Sequence, residues 1–328
     1  MHASTRASTF RRGVSRLTDP FAFAPVQAQR QEGTPLSRAK RRWPVVSMVF
    51  VTALCLACLV CHWFIPYDPA YMDLAHIAQA PDGAFWFGTD AMGRDVFSMI
   101  FYGGRISLCI GLLSTALSTL IAVVLGTLSA FAPAWAQMLW MRFVEMVTSI
   151  PSILIILFVQ AFLGQGNVLS LSLTIGLTSW MQMSRVVHTE VKRMKDSAYM
   201  LFARGMGAGF WYQLRVHVLP NLIPPLMFMV VSQVGAAMGT EATLSFLGIG
   251  LPLEIVSWGS MLSGAERALL SGNWWIIVIP GTFLVTTLCA LAQIGNALRQ
   301  DQNRRHHNLQ THRGKREKRG GNTHAQAM

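Results

Sequence analysis

The chain has 328 residues, of which 52% are hydrophobic and only 13% charged, far from the roughly 25% charged residues of a soluble domain; it is a bilayer protein. Its net charge of +12 is gathered in three segments: nine Lys/Arg before Trp43, six between Arg185 and Arg215, and eight from Arg299 onward. By the positive-inside rule these segments, alternating with apolar runs, put both termini and the central basic loop in the cytoplasm, and the tails lack the aromatic interleaving of a nucleic-acid binder.

Residues 1–42, rich in Arg, Ser, Thr and Ala, are expected to form a disordered basic cytoplasmic extension. The first transmembrane helix is expected over 43–65, at 23 residues too long for a signal-peptide core. An external segment follows over 66–104, with an acidic excess. Within it, Gly88 and Gly93 bound two turns, and Asp90 and Asp95 flank Arg94, so the stretch should fold as a compact, internally paired cap leading past Arg105 into the second helix. The five-helix core spans 105–299. Its spans are expected at about 106–131, 138–163, 168–187, 221–244 and 273–298. Each approaches the roughly 20 residues that a bilayer needs, and the total is six helices in an all-α polytopic protein. A basic cytoplasmic tail occupies 300–328.

Between the fourth and fifth spans lies a polar island over 189–219. Val191, Met194, Ala198, Leu201 and Phe202 recur at helical spacing against Lys192, Arg193, Lys195 and Asp196, which predicts an amphipathic surface helix. Asp196 or Ser197 can cap a short helix over 198–206, Gly207 supplies the left-handed residue that ends it, and a second short helix is expected over 210–218. Pro220, Pro224 and Pro225 mark re-entry into the membrane.

In the fifth span, Gln233, Glu241 and Ser245 are candidates to line a translocation path, because lipid would leave them unpaired; for Glu241, near the helix end beside Thr240, Thr243 and Ser245, a structural anchor is the favoured role. Cys55, Cys58, Cys61, Cys109 and Cys289 fall in or beside apolar spans and read as small hydrophobes, with no metal site expected. The chain has no phosphate-binding loop of the G-x-x-x-x-G-K-[ST] type and no nucleophile-and-base set, so it is expected to be no enzyme and to hold no cofactor.

Three stretches resemble one family. They are the run Tyr199 to Gly209 followed by Leu219 and Pro220, the run Gly88-Thr89-Asp90 through Gly93-Arg94-Asp95 to Arg105, Ser107 and Leu108, and the run Glu241–Pro252 with Ser257–Leu262. They are similar to the permease subunits of ABC importers in the dipeptide, oligopeptide and nickel uptake branch, and the likeness covers about 63–299. The resemblance implies a type I importer permease fold in a bacterial inner membrane. It implies a second homologous permease, two ATPase subunits carrying ATP-Mg, an external solute-binding protein and surrounding lipid as partners. It makes Tyr199, Leu201, Phe202, Ala203, Gly207, Ala208, His217, Leu219 and Pro220 the loop that docks on the ATPase. That family usually has Glu-Ala at Leu201-Phe202, so a more apolar contact is expected. A di- or oligopeptide is the expected cargo, with nickel or a metal chelate as the alternative. An ion-coupled secondary transporter is the rival of another class, and it lacks the internal repeats and coupling acids that such a machine needs.

Overall fold

The computed structural model describes residues 44–325 apart from 64, 66, 67, 69, 70, 164–166 and 253. The extension expected over 1–42 lies outside the described residues. All regular elements among the described residues are helices, and one isolated antiparallel bridge joins Thr89 to Asp95.

Helix α1, Val45–Val60, starts behind Pro44 and runs into a 3-10 turn over Cys61–Trp63. Helix α2, Val96–Phe131, starts ten residues before the expected second span. The cause is Asp95. Its carboxylate accepts the backbone N–H of Ser98 at 3.0 Å and the Ser98 hydroxyl at 2.5 Å, so it caps the helix rather than pairing with Arg94. Arg105 therefore stands in the third turn of α2, exposed, and is no part of the cap.

The third span is not one helix. It is α3, Ala134–Thr148, and α4, Ser152–Leu163, bent by 84°. Pro151 lies at the break, where it has no N–H for the i−4 bond and pushes Ile150 out of helical geometry. Helix α5, Val168–Lys195, is capped by Asn167, which accepts from the Ser170 N–H at 3.0 Å. It absorbs the first half of the predicted surface helix. Helix α6, Ala198–Gly205, and the three-residue α7, Phe210–Tyr212, follow. A π-helical stretch, Gln213–Val218, then leads without interruption into α8, Leu219–Phe246. The turn expected at Pro220 does not occur, since proline is tolerated in a first turn; Pro224 and Pro225 lie inside α8. Two short helices, α9 over Trp258–Leu262 and α10 over Ala265–Leu270, precede α11, Trp275–Ala325, which continues as helix through the basic tail.

Four stretches, 45–63, 96–131, 210–246 and 275–301, are long and apolar enough to cross a membrane, and α3 with α4 makes a fifth as a broken span. Helix α5 is long enough to cross a bilayer but, with Gln182, Arg185 and His188 in it, is not among these apolar stretches, so the described residues give at most five such spans against the six expected.

The most extensive helix contact is that of α2 with α5. It is a seam of small side chains: Ser114, Ser118, Ala122 and Gly126 are all buried along α2, while Ser107 and Gly111 of the same helix meet α8. Small residues let membrane helices approach until their backbones touch, which is where dispersion and weak hydrogen bonds act in the absence of a hydrophobic drive. A Cβ on Gly126 would lie 2.7 Å from the Ser184 carbonyl oxygen and 2.8 Å from the Val187 side chain; one on Gly176 of α5 would lie 3.0 Å from the Ser114 carbonyl oxygen. Two apolar clusters flank this seam. At the cap end, Leu54, Cys58, Ile100, Met238, Trp258 and Leu284 join α1, α2, α8, α9 and α11. At the basic end, Val187, Val191, Met200, Val218 and Leu222 join α5, α6 and α8.

Gly126→Leu should therefore separate α2 from α5. Overpacking typically costs about 1–3 kcal/mol, and the expected result is a lower thermal midpoint of the detergent-purified protein, whereas Gly239→Ala, where an added Cβ meets nothing within 4 Å, should leave it unchanged.

Candidate functional site

The cap is built from backbone turns that demand glycine. Gly88 and Gly93 have φ of +74° and +76°, and a Cβ on Gly93 would lie 2.0 Å from the Asp73 carbonyl oxygen. Between them the Asp90 carboxylate accepts the N–H groups of Met92 and Arg94, each at 2.8 Å, and the Arg94 guanidinium, also at 2.8 Å. The Trp275 indole N–H donates to the Thr89 carbonyl at 3.1 Å, which seats the cap on the first turn of α11. Upstream, Asp82 accepts the N–H of Phe85 at 2.7 Å and of Ala84 at 2.9 Å. These bonds, that of Phe85 foremost, hold its carboxyl below the ordinary carboxylate range.

Beneath the cap lies the anchor of the fold. Glu241 is fully buried, and its carboxyl oxygens accept three hydroxyls from three different places. Ser107 of α2 donates at 3.0 Å, Ser245 one turn along α8 at 3.0 Å, and Ser257 at the head of α9 at 2.7 Å. Ser257 and Ser260 close a reciprocal capping box on α9. The Ser107 and Ser245 hydroxyls accept in turn from the N–H groups of Trp258 and Leu251. The Trp258 indole, also fully buried, donates to the Ile100 carbonyl at 2.8 Å. Gly259 packs so closely that a Cβ there would lie 3.0 Å from the Glu241 carboxyl and 2.6 Å from the Ala242 Cα. Glu241 and Ser245 thus belong to a closed network and do not line a path. Sequence reasoning did not assign Ser107, Ser257 and Trp258 a role; their only signal was membership of the two motifs that this network ties together.

Of the three path candidates, Gln233 alone faces a cavity. Its volume is about 300 Å³, and it opens where α3 breaks from α4, against α5 and α8. Its polar lining is Thr148, Ser152, Thr178, Ser179, Gln182, Gln233 and Thr240.

At the basic end the loop divides into roots and an exposed face. Met200 and Ala203 are buried, while Tyr199, Leu201 and Phe202 are 46%, 57% and 74% exposed. Leu201 and Phe202 were expected on one face with Val191 and Met194, but the break at Asp196 and Ser197 resets the helical phase and turns them outward. Gly207, at φ +85°, ends α6 in a Schellman motif: the Gly207 N–H reaches the Arg204 carbonyl at 2.9 Å and the Ala208 N–H reaches that of Ala203 at 3.0 Å. Gln213 of the π stretch accepts from Arg204 at 3.1 Å and donates to the Ala208 carbonyl at 2.6 Å, clamping α6 to the following helix. The His217 ring lies between those of Tyr199 and Tyr212, at 5.9 and 5.8 Å. Trp211 and Met206, exposed by 76% and 84%, extend the apolar face, and Leu219 and Pro220 are exposed beside it.

Comparison with known proteins agrees across most of the chain. Residues 122–300 match the family described as binding-protein-dependent transport system inner membrane component, and residues 39–81 match the N-terminal TM domain of oligopeptide transport permease C. A Brucella suis biovar 1 protein assigned as a peptide permease is 36% identical over 271 residues, covering 81% of this chain and 89% of that protein. The dipeptide transport system permease protein of Bacillus subtilis is 31% identical, covering 71% of this chain and 72% of its own length. The oligopeptide transport system permease protein of the same organism is 30% identical, with 78% and 83% covered.

Glu241→Ala would orphan three buried hydroxyls and should cost on the order of 2–4 kcal/mol, read as a lowered thermal midpoint; an unchanged midpoint would return Glu241 to the path. Because the Asp82 pKa is depressed, its stabilisation is complete at neutral pH and is lost only as pH falls through that depressed value. Protease nicking around Asp82 to Phe85 should accordingly stay constant from neutral pH down to about pH 4 and rise below it.

Proposed function

Since this chain belongs to the family of binding-protein-dependent transport system inner membrane components, we propose that it is the permease subunit of an ATP-driven importer of di- or oligopeptides. The observation that carries the mechanism is the division of α6 into buried roots and an exposed apolar face. Met200 holds α6 in the basic-end cluster with Val191, Val218 and Leu222, so a push on α6 reaches α5 and α8 through packed side chains. The chain has no phosphate-binding loop, so ATP-Mg belongs to partner ATPase subunits, each binding one permease through such a face. Full burial of a Leu or Phe is worth about 1.5–3 kcal/mol, so Leu201 and Phe202 together suit a groove lined by apolar side chains. A second, homologous permease completes the path, and an external solute-binding protein delivers cargo at the cap end. Closure of the ATPases draws the loops together and alternates which end of the path is open.

The cap end is suited to stay rigid during this cycle. Glu241, Trp258 and the Asp90–Arg94 pair hold α2, α8, α9 and the loops above them as one body. The basic end instead carries the glycine turn and the π stretch, where backbone rearrangement is cheaper.

Two substitutions test this reading in the reconstituted importer. A Cβ at Gly207 meets no atom within 4 Å, so the cost of Gly207→Val is chiefly the backbone strain of a β-branched residue at φ +85°, about 1–3 kcal/mol. ATP hydrolysis should persist in it while uptake falls, and normal uptake would refute the hinge. Leu201→Glu should weaken co-purification of the ATPase subunit, and undiminished co-purification would refute apolar docking.

A further inference from the structure

The cavity at the Pro151 break has a lining of unusual chemistry for a transport path. Its walls are aliphatic or neutral and polar, and none of the residues that line it is Asp, Glu, Lys, Arg, His or Cys. Arg185 does not line the cavity but reaches its wall, donating to the hydroxyl of the lining residue Thr148 at 2.9 Å. The threonine hydroxyls are committed as donors to their own helices, Thr178 to the Thr174 carbonyl and Thr240 to that of Ala236, both at 2.9 Å, so they offer lone pairs to the cavity. Gln182 of α5 and Gln233 of α8 make no hydrogen bond among the described residues. A carboxamide presents an acceptor oxygen and an N–H₂ donor, the complement of a main-chain amide. Two of them on different helices can bracket one peptide unit.

We propose that this cavity is a subsite for the peptide backbone, in which Gln182 and Gln233 pair with main-chain amides while the neutral lining leaves side-chain charge unread. The inference rests on the peptide-importer reading above and deepens it. A metal ion finds no ligand set in this lining, since the oxygen, nitrogen and thiolate donors that metals prefer come from carboxylates, imidazoles and cysteines. A cationic or anionic side chain finds no ionised group in the lining itself, the Arg185 guanidinium being held one hydroxyl away on Thr148. Gln182 and Gln233 are then the residues that determine specificity, selecting the amide and not the residue type.

The test uses the complete importer in proteoliposomes with its external receptor saturated, so that capture upstream is held constant. Uptake is measured for Ala-Lys-Ala, Ala-Ala-Ala and Ala-Glu-Ala, and for an Ala-Ala-Ala analogue in which an ester oxygen replaces the backbone N–H of the middle residue. The wild type should move the three peptides at rates within about threefold of one another, and the ester severalfold more slowly. The double variant Gln182→Ala/Gln233→Ala should lower uptake of all three peptides roughly tenfold, as expected for two lost hydrogen bonds, and abolish the ester penalty while receptor-stimulated ATP hydrolysis persists. Gln233→Glu should favour Ala-Lys-Ala over Ala-Glu-Ala by at least tenfold. If the double variant does not assemble, the ester comparison in the wild type and the charge bias of Gln233→Glu decide the matter. Equal transport of ester and amide, or no charge bias in Gln233→Glu, would overturn the subsite and leave the peptide reading intact. Failure of the wild type to move any of the peptides would overturn both.

Discussion

A carboxyl group with no exposure, deep between helices, must have all its hydrogen bonds answered by protein, and the arrangement of this molecule follows from how Glu241 is answered. Its three serine donors come from α2, from α8 itself and from the segment that returns to cover α8. The desolvation of a polar group that finds no partner outweighs the net gain of an ordinary hydrogen bond. None of the three donors can therefore leave without a penalty. That requirement fixes the head of α9 over the end of α8, and α9 in turn brings Trp258 against Gly104, where a Cβ would lie 2.8 Å from its indole ring.

Rigidity at this end propagates upward. The cap rests on Trp275 through the Thr89 carbonyl, and its own turns are closed by Asp90, Arg94 and two glycines in left-handed geometry. At the opposite end the same economy is achieved with apolar side chains. Met200, Val218 and Leu222 are almost fully buried, yet the residues beside them, Leu201, Phe202 and Leu219, are exposed. Dispersion between packed side chains tolerates sliding and tilting that a directional hydroxyl–carboxyl network does not. One end of the bundle is thus held by hydrogen bonds and the other by packing, with the small-residue seam of α2 and α5 running between them.

Much of this was legible in the sequence. Apolar runs and the three basic segments predict helices that span a bilayer, and Gly207 is legible as a left-handed terminator because few other residues adopt that geometry. That Arg94 pairs within its own turns was legible, but not that Asp90 takes it while Asp95 caps a helix. Other features were not legible. A proline in an apolar run can be the first residue of a helix or a break within one, and Pro151 breaks while Pro224 and Pro225 do not. The outward turn of Leu201 and Phe202 depends on where the helical phase restarts after Lys195, which local propensity does not specify.

The sequence by itself determined the class of molecule, the helical spans and the local turns, because hydrophobic length, charge position and backbone preference are properties of neighbouring residues. Only the tertiary structure decided what the polar groups in the spans do. Glu241 and Gln233 lie eight residues apart on one helix, and from sequence both are candidates for a path, with an anchoring role favoured for Glu241. One meets hydroxyls contributed from residues 107 and 257 and is closed off as an anchor; the other meets open space beside a broken helix. The difference is made by residues distant in the chain, and burial that requires long-range contacts is not written in any local stretch.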